Sequence, residues 1–317
     1  MIERKDLGQL DRISEGGTGT VYRTPYRLSG YATPLAYKEF HTYSLSSANF
    51  KRVVDDSQWA LHFRQSLSPD DQNRLDHFIT WPLEMVVSES AVIGELMPLL
   101  PSGFFAEVRP PDHQQVMSIP RGMEWLSAKT NLALKSGFSQ AEIDGFTDLV
   151  TRTAILAHLC HHIAWLHRHG LVYGDISLVN AVFSTNPPRI ILLDGDSVCS
   201  LMDMSRQQLH SPQFCPPECL PVGSNPYARG NLLFQDTRTD VYKLALCVVR
   251  GLARGRGATH LTSADHLVGV LDNNSLQMIR QALSLNPDAR PTAKDLYLAL
   301  AGFVTSRIFP NERDLEP

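Results

Sequence analysis

The sequence predicts an α+β fold, with strands concentrated in the first hundred residues and helices in the remainder. Three short segments with strand character lie early in the chain, at 34–40, 79–87 and 91–97. After Ser139, by contrast, apolar residues recur every three or four positions, which is typical of a buried helix face. With 317 residues, 43% of them hydrophobic and 20% charged, the chain has enough apolar material for a substantial core.

Charge and composition argue against several classes of partner. The chain has 29 Lys and Arg against 33 Asp and Glu, and its net charge of −4 gives no broad positive field for nucleic acid or an acidic membrane. It has no apolar run long enough to span a membrane, and its first residues lack the apolar core of a signal peptide. The five cysteines are odd in number and show no paired spacing, which favours reduced thiols. We therefore expect a cytoplasmic protein that binds neither nucleic acid nor membranes.

A glycine-rich turn is predicted near the N-terminus. Residues 13–22 read Ile-Ser-Glu-Gly-Gly-Thr-Gly-Thr-Val-Tyr, which places Gly16, Gly17 and Gly19 between segments with strand character. Glycine lets such a hairpin lie close to a ligand, because a Cβ there would collide with it. A flexible turn without a ligand is the simpler interpretation of the glycines taken alone. Lys38 follows nineteen residues after Gly19, on the predicted strand at 34–40.

Helices are predicted between these strands and after them. An apolar side at helical spacing covers about residues 47–65, and Ser68-Pro-Asp-Asp is a typical start of a second helix. A helical piece near 123–135 lies in a longer segment, 101–137, which we interpret as a packing insertion or as a regulatory or partner surface.

One long helix is predicted from Ser139 to Gly170. Ser139 and Glu142 have the spacing of a capping box, and an apolar stripe continues to Leu166. Gly170 is a typical residue at which a helix ends.

The stretch from Leu171 to Asp196 contains the residues with the clearest chemistry. It reads Leu-Val-Tyr-Gly-Asp-Ile-Ser-Leu-Val-Asn-Ala-Val-Phe, then a turn of Ser-Thr-Asn-Pro-Pro, and it ends in Ile-Ile-Leu-Leu-Asp-Gly-Asp. Two predicted strands joined by a turn carry Asp175, Asn180 and Asp194 to one end of a hairpin. Phosphoryl transfer needs an aspartate that orients a hydroxyl, together with an asparagine and an aspartate that hold magnesium. A hairpin with acidic turns and no activity is the simpler alternative, because Asp and Asn favour turns.

Together these motifs resemble the protein-kinase superfamily, and in particular atypical bacterial kinases of the eukaryotic-like serine/threonine type. The resemblance covers about residues 13–304. It implies a bilobal protein-kinase-like fold, with a small β-rich N-lobe at 1–97 and a larger helical C-lobe at 98–317. The segment 101–137 would then extend the connection after the hinge between the lobes.

The resemblance assigns a nucleotide site to the predicted N-lobe. Lys38 matches the strand lysine that contacts the α- and β-phosphates of ATP. Met97 matches the residue behind the adenine pocket, and the backbone of Leu100 takes the place of the adenine contact because Pro98 has no N–H. The residues that the resemblance places around ATP are Ser14, Gly16, Gly17, Gly19, Val21, Ala36, Lys38, Met97 and Leu100.

The resemblance assigns the transfer chemistry to the predicted C-lobe. Asp175 matches the aspartate that orients the substrate hydroxyl, while Asn180 and Asp194 match the two magnesium ligands. Ser211 stands where serine/threonine kinases place a hydroxyl that touches the catalytic aspartate. Gly174 replaces the arginine that would recognise a phosphorylated activation segment, so control by that route is not expected.

Three further residues match a buried framework of the family. Residues 211–218 read Ser-Pro-Gln-Phe-Cys-Pro-Pro-Glu, and Glu218 is expected to pair with Arg290 in the interior. Leaving one partner of such a pair alone costs on the order of 3–5 kcal/mol. Asp240 is expected to brace the backbone of the catalytic loop.

Other positions depart from the family pattern. The helix predicted at 47–65 carries no glutamate for Lys38, and we assign Asp56 to that role. Ser177 replaces a lysine of the catalytic loop, and Gly195 replaces the usual phenylalanine after the metal-binding aspartate.

The sequence therefore predicts an ATP- and magnesium-dependent serine/threonine protein kinase whose partners are ATP and a protein substrate or regulatory protein. One alternative is a pseudokinase that serves as a scaffold or nucleotide-binding regulatory module, suggested by the missing helix glutamate and by Ser177. The other is a small-molecule phosphotransferase, favoured by the Gly-Asp-x-Ser loop and disfavoured by the segment 211–218.

Overall fold

The computed structural model describes residues 1–41, 46–111, 115–203, 210–211, 213–220, 222–223, 235–253 and 260–310. The chain forms two compact units, which we call the sheet unit and the helical unit. The sheet unit comprises Met1–Pro101 and Leu192–Val198, and the helical unit comprises Ser102–Ile191 and the described part of Cys199–Pro317. The sequence analysis did not anticipate that 192–198 group with the N-terminal part of the chain.

A six-stranded sheet forms most of the sheet unit. Its strands are β1 (Ile2–Glu3), β2 (Asp11–Glu15), β3 (Gly19–Thr24), β4 (Leu35–Phe40), β5 (Glu84–Ser88) and β6 (Ala91–Pro98). They lie in the order β1–β5–β6–β4–β3–β2, with β1 parallel to β5 and the other neighbours antiparallel. The predicted strand at 79–87 is therefore shorter than expected, and Ile79 forms only an isolated bridge to Leu192.

The period of two along β4 separates the two faces of this sheet. Leu35 and Tyr37 pack into a core cluster with Leu7 and Leu96. Phe40 points to the opposite face, in a cluster with Val53 and Leu61 of helix α1 (Ser47–Ser66). Lys38 shares that second face by its register, so the α1 side of the sheet receives a buried charge.

Side-chain caps begin both helices of the sheet unit. The hydroxyl of Ser46 accepts from the N–H of Asn49 at the start of α1. Ser68 accepts from the N–H of Asp71 at the start of α2 (Pro69–Phe78). Both caps satisfy N–H groups that the helix itself leaves open, and the two predicted helices are confirmed.

The helical unit consists of six α-helices and short strand pairs in its described part. The helices are α3 (Thr130–Lys135), α4 (Gln140–Thr147), α5 (Leu149–Arg168), α6 (Thr237–Leu252), α7 (Asn273–Ala282) and α8 (Ala293–Ile308). The strand pairs are β7 (Phe105–Val108) with β8 (Met117–Pro120), β9 (Leu171–Val172) with β12 (Cys199–Ser200), and β10 (Ala181–Thr185) with β11 (Pro188–Leu192). Helix α6 is buried from Thr239 to Leu252, and α5 packs against α6 and α8.

The long helix predicted from Ser139 to Gly170 is two helices. Asp148 ends α4 and caps α5, where its carboxylate accepts from the N–H of Thr151 at 2.7 Å. Glu142 lies in the first turn of α4, and its carboxylate accepts from Nε of Arg121 at 2.8 Å and from Nη2 at 2.9 Å. The hairpin of β7 and β8 within 101–137 was also not predicted.

The mixed α/β composition, sheet-rich at the N-terminal end and helical at the C-terminal end, agrees with the expectation from sequence. None of the helices in the described ranges combines the length and the apolar character that crossing a membrane requires.

Candidate active site

Lys38 is the buried cation of the sheet unit. It lies on β4, opposite Val21 of β3 and Glu95 of β6. Its Nζ donates to Asp194 Oδ1 at 3.1 Å and to Asp196 Oδ2 at 2.9 Å. Burial would lower the pKa of Lys38, but the two aspartates offset it and the pKa is raised. The amine is therefore a permanent positive charge.

The turn that carries both aspartates is closely packed within the sheet unit. Asp194 adopts a left-handed conformation, with φ of 53°, and the turn continues through Gly195. A Cβ at Gly195 would lie 2.8 Å from the carbonyl oxygen of Thr80 and 3.0 Å from the ring of Trp81. Trp81 is fully buried, and its indole N–H donates to the carbonyl of Ala60 on α1 at 2.7 Å. Trp81 thus fills the space beside position 195, which explains why no larger residue stands there.

The assignment of Asp56 as the partner of Lys38 is corrected by this geometry. Asp194 and Asp196 hold the ammonium instead of Asp56 on α1. The neighbouring acid Asp55 pairs with Lys51 on the outside of the same helix. An aspartate side chain is short, so its backbone must lie close to the amine. The turn at 194–196 brings the carboxylates of Asp194 and Asp196 directly to Lys38.

Glu95 is a residue that the sequence analysis missed. It is 2% exposed and lies directly opposite Lys38 in the β4–β6 ladder. Side chains opposite each other in a ladder share a face, so the glutamate and the lysine point to the same side of the sheet. The alternation of β6 was a signal that could have identified it, because a charged residue between Gly94 and Leu96 is unusual in a central strand.

The stability of the fold is expected to depend on the protonation of Glu95. Burial, followed by the negative charge of Asp196, raises the pKa of Glu95 from 4.5 to about 8. The folded state therefore binds this proton more tightly than the unfolded state, and the contribution to stability is lost as the pH rises from about 4.5 to 8. We expect Glu95→Gln to remove this loss, so that the variant gains stability relative to the wild type as the pH rises.

Urea unfolding at pH 5, 6, 7 and 8 would test this expectation. The matched control is Glu39→Gln, because Glu39 lies on β4 beside Lys38 but pairs with Arg4 near the surface. Parallel stability curves for the wild type and Glu95→Gln would contradict the assignment.

The glycine loop forms the predicted turn between β2 and β3. The N–H of Gly16 donates to the carbonyl of Gly19 at 2.9 Å, and the β2 ladder shifts register between Arg12 and Ser14. A Cβ at Gly19 would lie 2.5 Å from the carbonyl oxygen of Glu39, so packing within the sheet requires that glycine. A Cβ at Gly17 would meet no atom within 4 Å. The internal packing of the chain therefore does not explain the glycine at position 17.

The residues predicted around adenine lie on neighbouring strands. Ala36 of β4 is paired with Met97 of β6, and both are buried. Leu99 donates its N–H to the carbonyl of Pro34 at 2.9 Å, so this amide is already used. Leu100, to which the adenine contact is assigned, is half-buried and follows it.

Asp175 is the acceptor of three hydrogen bonds in the helical unit. Its Oδ1 accepts from the hydroxyl of Ser211 at 2.6 Å and from the N–H of the same residue at 3.1 Å. Its Oδ2 accepts from Nδ2 of Asn180 at 2.6 Å. Asn180 thus commits its amide nitrogen to Asp175 and leaves its amide oxygen for a cation. The arrangement places a hydroxyl directly on the carboxylate, the contact by which a base orients a nucleophile.

Asp240 fixes the backbone that leads into Asp175. Its two carboxylate oxygens accept from the N–H groups of Tyr173 at 2.9 Å and Gly174 at 3.0 Å. His167 of α5 contacts the same carboxylate at 3.0 Å. Gly174 has φ of 77°, a conformation that a larger residue such as arginine rarely adopts.

Lys243 supports the same loop and was not anticipated from the sequence. It lies one turn after Asp240 on α6, and its buried ammonium donates to the carbonyl of Gly174 and to the side chain of Gln235. Burial lowers the pKa of Lys243, against the opposing charges of Asp240 and Asp175. Ser177, which replaces the family's lysine, is itself buried.

Glu218 and Arg290 form the predicted interior ion pair. Both nitrogens at the end of the guanidinium donate to the carboxylate, each at 2.7 Å, and Glu218 is 1% exposed. Arg290 also donates to the carbonyl of Arg238 and lies over the ring of Tyr242. The pair therefore ties the end of the segment 211–218 to α6.

Asn180 and Asp194 are the two predicted magnesium ligands. Within the described part of the chain, no three His, Cys, Asp or Glu side chains gather as a ready-made metal site. Magnesium commonly takes only one or two protein ligands and completes its shell with water and phosphate oxygens. In the sheet unit, Asp194 offers a carboxylate on a side chain that is 56% exposed. In the helical unit, Asn180 offers an amide oxygen.

No model of a known protein family matches the chain, and a search of curated proteins finds no match either.

Proposed function

We propose that this chain is an ATP- and magnesium-dependent serine/threonine protein kinase with a bilobal kinase-like fold. The observation that carries the proposal is the contact between Lys38 Nζ and Asp194 Oδ1 at 3.1 Å, between residues far apart in the chain. A buried ammonium beside an accessible carboxylate supplies one group for phosphates and one for a cation. Under this proposal the sheet unit binds the nucleotide.

The residues of the helical unit support transfer to a hydroxyl. Asp175 already accepts a hydrogen bond from the hydroxyl of Ser211 at 2.6 Å, so a substrate hydroxyl bound there would be oriented in the same way. Asp240 and Lys243 hold the loop before it, which limits the geometric error in Asp175. Magnesium, when bound, neutralises charge on the phosphates of ATP.

The segment before Glu218 favours a protein substrate over a small molecule. Arg250 donates to the carbonyl of Gln213 at 2.9 Å, and its guanidinium lies 4.3 Å from the centre of the Phe214 ring. With the Glu218–Arg290 pair, these contacts order the chain beside the hydroxyl that touches Asp175. An ordered surface next to the transfer residues is what an extended peptide would need. The five cysteines are free thiols, which supports a reducing compartment such as the cytoplasm.

Incubation with radiolabelled ATP and magnesium tests the proposal. We expect label on protein for the wild type and a loss of transfer on the order of 100-fold or more for Asp194→Ala, because the ligand of the cation is removed. Asp265→Asn is the control, since Asp265 is an exposed acid that pairs with Arg280 at the surface. Label on a metabolite would instead identify a small-molecule phosphotransferase.

A pseudokinase is the second candidate, and one observation favours it. Lys38 and Asp194 are satisfied by each other, and Ser177 offers no charge for the transferred phosphate. Binding of Mg-ATP without transfer to protein or metabolite in the same experiment would establish that function in place of the kinase.

A further inference from the structure

Two carboxylates from a single turn contact the ammonium of Lys38. Asp194 lies 3.1 Å from Nζ and Asp196 lies 2.9 Å from it. One lysine has no need of two full charges for pairing alone, because one ion pair already stabilises its protonated form. The second carboxylate therefore requires an explanation of its own.

The two aspartates differ in their access to water. The side chain of Asp194 is 56% exposed, whereas that of Asp196 is 10% exposed. A ligand that arrives from solution, such as a cation, can reach the first carboxylate without displacing any part of the protein. The second carboxylate is enclosed, and its Oδ2 is already directed at the amine. The difference indicates separate roles.

The backbone of the turn holds Asp196 in this orientation. The N–H of Ser197 donates to the carbonyl of Asp194 at 3.0 Å, and the N–H of Gly195 donates to the carbonyl of Thr80 at 3.2 Å. A Cβ at Gly195 would lie 2.8 Å from the carbonyl oxygen of Thr80, so the turn packs closely against that residue. The turn is thus closed by its own hydrogen bond and tied to Thr80 inside the sheet unit.

We propose that Asp196 is the positioning residue for Lys38. The inference rests on the proposed kinase function, in which Asp194 binds magnesium and Lys38 binds the phosphates of ATP. While Asp194 binds the cation, Asp196 holds the ammonium of Lys38 in its position beside the turn. In this role Asp196 acts through Lys38 and not on the reacting atoms. An acid on α1, as predicted from the sequence, is then unnecessary for this role, because the turn after β11 supplies the carboxylate.

A double-mutant cycle tests this role. The variants are Asp196→Asn, Lys38→Met and the pair together, with Glu39→Gln as the control on the neighbouring position of β4. The affinity for Mg-ATP is measured by titration calorimetry, and the rate of transfer is measured with radiolabelled ATP. We expect Asp196→Asn to lower the transfer rate on the order of 100-fold, as for a misplaced reactive group, and to weaken Mg-ATP binding. In the Lys38→Met background the same change is expected to have no further effect.

The outcomes separate this inference from the proposed function. If the wild type binds and transfers but Asp196→Asn behaves like it, the kinase stands and the role of Asp196 is overturned. A loss that is equally large in the Lys38→Met background would also overturn it, because Asp196 would then act without Lys38. If the wild type neither binds Mg-ATP nor transfers phosphate, the proposed function fails and the positioning role fails with it. Urea unfolding of the wild type, the two single variants of the cycle and the double variant then shows whether the ion pair exists as a purely structural contact.

Discussion

Replacing Asp175 with asparagine is expected to lower the rate of phosphoryl transfer on the order of 10²–10⁴-fold, the usual contribution of a general base. The carboxylate accepts from the Ser211 hydroxyl at 2.6 Å and from Asn180 at 2.6 Å. An asparagine occupies the same volume but carries no charge, and one of its two terminal atoms is a donor. It can no longer accept at both positions or take a proton from a hydroxyl. Transfer from radiolabelled ATP to protein measures the effect.

Two companion measurements make the result specific. Mg-ATP affinity of Asp175→Asn is expected to remain near that of the wild type, because Lys38 and Asp194 of the sheet unit are untouched. Asp144→Asn serves as the control, since Asp144 is an exposed acid of α4 whose carboxylate accepts a hydrogen bond from the side chain of Gln140. Transfer that persists at the wild-type rate in Asp175→Asn would remove the central residue from the proposed mechanism.

Breaking the interior ion pair is expected to give the largest loss of stability. Arg290→Met leaves the carboxylate of Glu218 buried without its guanidinium partner, which costs on the order of 3–5 kcal/mol in the free energy of unfolding. Both bonds of the pair are 2.7 Å long, and the side chain of Arg290 is fully buried. Urea unfolding, followed by circular dichroism, measures the difference between the variant and the wild type.

Two comparisons test whether burial causes the loss of stability. One adds a second substitution within the same pair, and the other breaks a pair at the surface. Adding Glu218→Leu to Arg290→Met removes the unpaired charge, so the double variant is expected to regain part of the lost stability. Arg280→Met breaks an exposed pair with Asp265, where solvent screens the charges, so a much smaller change in the free energy of unfolding is expected. Equal losses for Arg280→Met and Arg290→Met would contradict the role given to burial.

Features that depend on local patterns were predictable from the sequence. The cap at Ser68, the hairpin at the glycine loop and the strand that carries Lys38 all follow from residues close together in the chain. The contacts of Asp240 and the pairing of Glu218 with Arg290 join distant segments, and they were predicted only through the resemblance.

Features that depend on tertiary packing were not predictable in the same way. The break between α4 and α5 depends on Asp148. The helical spacing of apolar residues continues across this position, so the spacing alone predicts one uninterrupted helix. The choice between Asp56 and the turn at 194–196 depends on which carboxylate reaches a buried amine, and no local pattern reports that distance. Glu95 and Lys243 are single charges inside apolar segments, and their partners lie on other elements.

The indole of Trp81 gives this protein a built-in optical reporter. It is fully buried and lies against Gly195, the residue between the two aspartates that contact Lys38. Any rearrangement of that turn alters the polarity around the ring, and so shifts its fluorescence emission. With phenylalanine in place of Trp59, Trp125 and Trp165, a single emission band would follow the turn in real time as nucleotide is added.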